Sequence, residues 1–165
     1  MERIKSCRVC KSQGIIEFLD LGEQPFANSL LKNLDEKERF YPLSLSWCPD
    51  CNLVQLNQTA EPLDLFSEYV WVTSTSQIAK EHAKHFCHEI LSRTSALKDS
   101  YVLEVGSNDG AFLRPFVENN YKVLGIDPAE NIVDIAIANG VPTKCKFFGE
   151  KAAEEIIEEF GQAQV

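Results

Sequence analysis

The sequence predicts an α/β protein in two parts, a small cysteine-built subdomain followed by a parallel sheet with flanking helices. Three observations carry this expectation. Two Cys-x-x-Cys pairs, Cys7-Arg8-Val9-Cys10 and Cys48-Pro49-Asp50-Cys51, bracket the N-terminal region. From Tyr101 onward, short apolar runs alternate with amphipathic segments, the pattern of successive βα units whose right-handed crossovers build a parallel sheet. The first of these runs leads into Glu104-Val105-Gly106-Ser107-Asn108-Asp109-Gly110, the grammar of a strand feeding a tight turn feeding a helix.

Composition narrows the classes. A chain of 165 residues suffices for one medium domain or two small ones, and 44% apolar residues allow a real core. A net charge of −9 and a pI near 4.8 argue against a duplex-binding surface, which needs clustered Lys and Arg. No apolar leader follows Met1, and no run is apolar enough to span a bilayer, so a soluble cytoplasmic protein is expected. Six cysteines in such a compartment point to metal binding or structural use rather than disulfides.

Residues 1–60 are loop-rich. Each Cys-x-x-Cys places two thiolates on one knuckle, and two knuckles make a closed four-thiolate site for a structural Zn²⁺ held by Cys7, Cys10, Cys48 and Cys51. Four thiolates leave no open position for catalysis. The insert between the knuckles is long for a zinc ribbon and is expected to hold a strand in Ile15–Leu21. Residues 61–73 form a bridge. Ser74-x-x-Gln77 fits a capping box, opening a helix to about Leu97 with Ala79, Ala83, Phe86, Ile90 and Leu97 on one face. His82, His85 and His88 recur along that helix and read more readily as surface histidines than as a metal site. Cys87 and Cys145 read as buried small residues rather than nucleophiles.

The second part is expected to run strand 101–105, helix Ala111–Asn119, strand 121–126, helix Pro128–Asn139, strand 143–148 and helix Glu150–Phe160. Pro128 near a helix start and Gly140 and Gly161 just past helix ends mark the boundaries. The last residues look like the approach to a fourth strand. Three parallel strands are not expected to cover both faces of a doubly wound sheet, so the chain reads as the N-terminal portion of a longer protein.

The turn after the first strand has the place of a nucleotide site. A dinucleotide fingerprint wants Gly-x-Gly-x-x-Gly, but Asn108 stands at its second glycine, where a Cβ crowds a pyrophosphate. S-adenosylmethionine carries no pyrophosphate. Glu104 near its ammonium, the turn Gly106-x-Asn108-Asp109-Gly110, and Asp127 (followed by Pro128) as the ribose acceptor at the second strand end suit it. A purely structural turn without ligand is the alternative.

Taken together, the cysteine pairs, Tyr69-Val70-Trp71-Val72-Thr73-Ser74-Thr75-Ser76, His82, Val102–Gly110, Leu124–Ala129 and Phe147-Phe148 make a chain that resembles the class I S-adenosylmethionine-dependent sugar C-methyltransferases with an N-terminal zinc-binding domain. The resemblance covers nearly the whole chain. It implies a zinc-binding subdomain and bridge over residues 1–73. Over 74–165 it implies a linking helix and the first half of a Rossmann-like methyltransferase domain, truncated at Val165. It further implies S-adenosylmethionine held by Glu104, Gly106, Asn108, Asp109, Gly110, Asp127 and Pro128, with Tyr69, Ser74, Ser76 and His82 facing the substrate. That substrate would be a nucleotide-linked keto-deoxyhexose. Trp71 stands where the family often has a second aromatic hydroxyl. The family's base, a Tyr and His group, is expected beyond Val165, so this chain alone is expected not to turn over, and the missing half would be a partner or a continuation.

Three other readings stay open. One is a non-catalytic module binding zinc and cofactor. Another is an O-methyltransferase of the same shape. The third, a zinc-ribbon nucleic-acid binder, is disfavoured by the acidic balance.

Overall fold

A computed structural model describes residues 3–94 and 100–165. The chain divides into two compact units, Met1–Leu65 and Phe66–Val165. The first carries a three-stranded antiparallel sheet in the order β1 (Ile16–Pro25), β2 (Phe40–Trp47), β3 (Val54–Leu56). β1 pairs with β2 from Ile16 opposite Trp47 to Pro25 opposite Phe40, with irregularities between Glu17 and Leu19 and between Asp20 and Glu23. The expected strand at Ile15–Leu21 is therefore present and longer, while β2 and β3 carry no clear sequence signal.

Their silence has a physical cause. The buried positions of these strands are Ser44, Ser46 and Gln55, with Asn57 just beyond, so the usual apolar-in, polar-out alternation is inverted. A polar network replaces an apolar core. The Asn57 carboxamide accepts from the Ser46 hydroxyl and donates to Glu17 Oε2 at 2.6 Å and Ser44 Oγ at 2.8 Å. Its backbone closes the sheet further: Asn57 N–H donates to Ser44 O, and Asn57 O accepts from Ile4 N–H. Among the described residues of this unit, the buried apolar side chains are Cys7 and Cys48 alone.

The second unit begins in the short helix α1 (Pro62–Phe66) and a 3-10 turn at Thr73–Thr75, then α2 (Gln77–Arg93). The N-cap of α2 is Ser76, whose Oγ accepts from Ala79 N–H at 3.2 Å, so the helix has a simple serine cap two residues beyond Ser74 in place of the expected capping box. The expected extension to Leu97 lies partly outside the described residues. A parallel sheet follows in the order β4 (Tyr101–Val105), β5 (Lys122–Asp127), β6 (Thr143–Cys145). Helices α3 (Arg114–Glu118), α4 (Glu130–Ala138) and α5 (Glu150–Phe160) alternate with the strands. The α3 helix and β6 are shorter than expected.

The sheet alternates faces as parallel strands must. Val102 and Val123 bury on one face with Cys87 of α2, Leu113, Phe116 of α3, Ala136 of α4 and Val141. Tyr101, Leu124 and Ile126 bury on the other with Ile156 of α5. Both faces thus carry helix contacts, against the expectation that three strands could not cover both. The outer edge of β4 is also bonded. Leu103 N–H donates to Val165 O at 2.8 Å, and Gln164 N–H donates to Tyr101 O at 3.1 Å. No helix among the described residues is long and apolar enough to cross a membrane.

Candidate functional site

In the first unit the two knuckles fold alike. Cys7 O accepts from Lys11 N–H and Cys48 O accepts from Asn52 N–H, and both Lys11 and Asn52 take left-handed backbone, φ 64 and 61. These turns aim four sulfurs at one point. All four Sγ atoms lie within 4.8 Å of one another, with Cys7–Cys51 and Cys10–Cys48 at 3.5 Å. A tetrahedral ion with bonds of about 2.3 Å sets sulfurs roughly 3.8 Å apart, so the donor set fits Zn²⁺. The thiols alone are electrostatically divided. Backbone N–H of Cys10 leads in holding Cys7 down to about 6. Ser12 N–H pulls Cys10 down, but burial and the neighbouring thiols outweigh it and push Cys10 up to about 12. A divalent cation removes that conflict, since it lets all four sulfurs ionise.

In the second unit, the turn after β4 is pinned to the end of β5. Gly106 and Ser107 N–H both donate to Ile126 O, at 2.7 and 3.1 Å. Asn108 takes φ 49, tolerable because its short polar side chain bonds locally. Its backbone N–H donates to Asp127 Oδ2 at 2.9 Å, and Ala129 N–H donates to Asp127 Oδ1 at 3.0 Å. Asp127 thus already holds two backbone donors, and each of its oxygens keeps one lone pair for a further donor. Gly110 serves packing: a Cβ there would stand 2.8 Å from Val141 Cβ and Cγ1. Gly106, at φ 70, is different, because a Cβ would enter open space.

Three buried polar atoms around this turn have no partner among the described residues: Glu104 Oε2, Ser107 Oγ and Asp109 Oδ1. Asp109 and Ser107 are 2% and 3% exposed. Buried polar groups are ordinarily paired, so three orphans at one strand end and turn make this turn a candidate ligand site. Burial first, then the charges of Asp109 and Asp127, push the Glu104 carboxyl up to about 7. Glu104 and Asp109, each with a buried unpartnered oxygen, favour a cationic ligand over a pyrophosphate. An apolar cavity of about 400 Å³ adjoins Glu104, walled by Phe86, Val105, Phe112 and Phe116. A larger groove, about 990 Å³, lies at the opposite ends of the strands by Tyr101, Lys122 and Thr143, and holds none of these orphans.

The substrate-facing candidates separate. The backbone of Tyr69 exchanges two hydrogen bonds with the Asn131 side chain, 3.1 and 2.8 Å. Ser74 N–H donates to Asp109 Oδ2 at 3.2 Å. The Ser76 hydroxyl is committed to capping α2. His82, exposed like His85 and His88, rests edge-on against Phe112 with centroids 5.7 Å apart. The Pro128 carbonyl accepts from the Cys145 thiol at 3.6 Å. Cys87 is buried as expected, whereas Cys145 is exposed. Sequence reading passed over Ser107 and Asn131. Gly125 inside β5 could have signalled the first: a Cβ there would lie 2.5 Å from Ser107 Oγ, and glycine within a strand often marks such an approach. Nothing local signals that Asn131 reaches back to Tyr69.

Comparison with known proteins follows the same division. Residues 7–66 match a family model described as "Putative zinc binding domain". Over 164 residues, 98% of this chain, the sequence is 32% identical to the C-methyltransferase NovU of Streptomyces niveus. The chain spans 39% of that relative's length. The N-terminal residues are thus similar to a zinc-binding domain, and nearly the whole chain is similar to part of a C-methyltransferase.

Proposed function

We propose that the second unit holds S-adenosylmethionine, and that the protein to which these residues belong methylates carbon on a nucleotide-linked keto-deoxyhexose. The observation that carries the cofactor reading is that Glu104 Oε2, Ser107 Oγ and Asp109 Oδ1, at the end of β4 and in the turn after it, are buried and without a partner among the described residues. When bound, the cofactor supplies a methyl group on a cationic sulfur. Glu104 and Asp109 offer acceptors to its ammonium, Asp127 offers its remaining lone pairs to ribose hydroxyls, and Gly106 leaves room for the chain to pass. The relative's name supports carbon as the methylated atom. The sugar reading rests on the family resemblance of the Tyr69–Ser76 stretch and the turn. Zinc in the first unit is structural in this reading, and the free thiols suit a reducing cytoplasm. The acceptor is a small molecule, not nucleic acid.

These 165 residues alone are proposed to bind cofactor without multiple turnover, because among the described residues no histidine of α2 is paired with a group that would make it a base. The test supplies labelled cofactor and a panel of nucleotide-linked 4-keto sugars, and locates any methyl by NMR. A methyl on oxygen would replace the C-methyl reading. Robust turnover by these residues alone would overturn the inactivity and direct the search for a base to Tyr69, His82, His85 and His88.

Two further results are expected. Asp127→Ala should weaken S-adenosylhomocysteine binding by about 1.5–3 kcal/mol, the usual worth of hydrogen bonds to a charged acceptor. Calorimetry showing unchanged affinity would remove the ribose assignment. The second concerns pH. Because the free protein's Glu104 is raised, it holds a proton below about 7, and a cationic ligand prefers the ionised form. Affinity should rise with pH and level off above 7, with binding at pH 6 about tenfold weaker than at pH 8. Glu104→Gln should flatten that profile. A flat profile in the unaltered protein would show that Glu104 does not face the ligand's charge.

A further inference from the structure

The segment from Ser67 to Ser74 is held by two separate turns at the carboxyl end of the parallel sheet. At the start of α4, Glu130 N–H donates to Ser67 O, and the Asn131 carboxamide both accepts from Tyr69 N–H and donates to Tyr69 O. At the turn after β4, Asn108 Oδ1 accepts from Thr73 N–H at 2.9 Å and from the Thr73 hydroxyl at 3.0 Å, while Asn108 Nδ2 donates to Trp71 O at 3.0 Å. Ser74 N–H then donates to Asp109 Oδ2. The segment therefore crosses from the β5 end of the sheet to the β4 end as a strap, over the region where ligands of open α/β sheets lie.

We propose that Asn131 and Asn108 are positioning residues that clamp this strap, and that strap order and cofactor binding depend on each other through them. The proposal rests on the cofactor reading above. A carboxamide presents one donor edge and one acceptor edge, as a peptide does, so each asparagine pairs with the strap the way a neighbouring strand would. Aspartate lacks the donor. With three of its side-chain bonds spent on the strap, Asn108 acts on a ligand through what it positions. Its backbone N–H holds Asp127 Oδ2, and the next residue, Asp109, takes Ser74 while its other oxygen waits buried and unpartnered. Displacing the strap therefore releases Asp109 directly and loosens the Asn108 turn that holds Asp127. Coupling of this kind is reciprocal, so the cofactor must in turn tighten the strap.

The test uses Asn131→Ala, since Asn131 touches the strap and lies outside the acceptor cluster. Hydrogen exchange at Tyr69, Thr73 and Ser74 reports the strap, and calorimetry with S-adenosylhomocysteine reports the site. The expected results are faster exchange at all three amides, affinity about tenfold lower (the worth of roughly two hydrogen bonds) and a melting temperature lowered only slightly, with the cooperative transition kept. In the unaltered protein, S-adenosylhomocysteine should slow exchange at Thr73 and Ser74. Asn131→Asp, which keeps an acceptor for Tyr69 N–H, should fall between. A freed strap with unchanged affinity would overturn the coupling and leave the strap a connector. If the unaltered protein binds no S-adenosylhomocysteine, the cofactor reading fails by itself. The clamp is then judged by exchange alone: faster exchange at Thr73 and Ser74 in Asn131→Ala supports it, and an effect confined to Tyr69 overturns it.

Discussion

Replacing Cys48 with serine is expected to unfold the N-terminal unit while leaving the helices of the second unit in place. The reasoning starts from what is buried. A unit of this size normally stabilises itself with apolar burial, yet its buried apolar side chains among the described residues are Cys7 and Cys48, and its strands bury Ser44, Ser46 and Gln55. Large side chains of β1, such as Ile16 and Phe18, remain about half exposed. Such a unit depends on a metal for its folding free energy, as small zinc domains do. The unaltered protein should contain about one equivalent of zinc. Cys48→Ser should lose it, and a strong chelator should reproduce the effect. Metal analysis with far-UV and near-UV circular dichroism reads both. A variant that loses zinc and keeps protected amides in β2 and β3 would show that the polar network around Asn57 suffices.

The second large effect separates two glycines that look alike in sequence. Gly110→Ala should destabilise the second unit by about 2–5 kcal/mol, from left-handed backbone at φ 76 plus overpacking against buried Val141. Gly106→Ala meets no atom within 4 Å, so it should cost only about 1–2 kcal/mol of stability, the left-handed penalty alone. Its Cβ, however, enters the space left for the ligand, and binding should fall by more than stability does. Chemical denaturation and calorimetry on both variants measure the contrast. Equal stability losses with equal binding losses would mean that Gly106 lines no ligand site.

What the sequence showed and hid follows from distance along the chain. The cysteine knuckles and the turn from Glu104 to Gly110 were legible because their chemistry depends on spacing within a few residues. The strands β4 and β5 and the helices α4 and α5 were legible because apolar periodicity and Gly or Pro punctuation agree there. The strands β2 and β3 were hidden because their inward positions are polar, and Pro42 interrupts β2 as well. The cap of α2 was misplaced because Ser74 and Ser76 are both competent by type; Ser74 lies inside the 3-10 turn, and Ser76 caps. The strap contacts of Asn108 and Asn131 were not legible at all, since their partners lie far back in the chain and only the fold brings them together.

The acidic, partly unpartnered crevice of the second unit is expected to take a cationic adenosyl cofactor. The direct measurement is calorimetry of these residues with S-adenosylmethionine, S-adenosylhomocysteine and NAD at pH 8. Saturable, weak binding of the first two at about one site is expected, and none of NAD, whose pyrophosphate would meet the Cβ of Asn108 at the turn and the carboxylates of Glu104 and Asp109. Binding of NAD with no response to either adenosyl compound would contradict it.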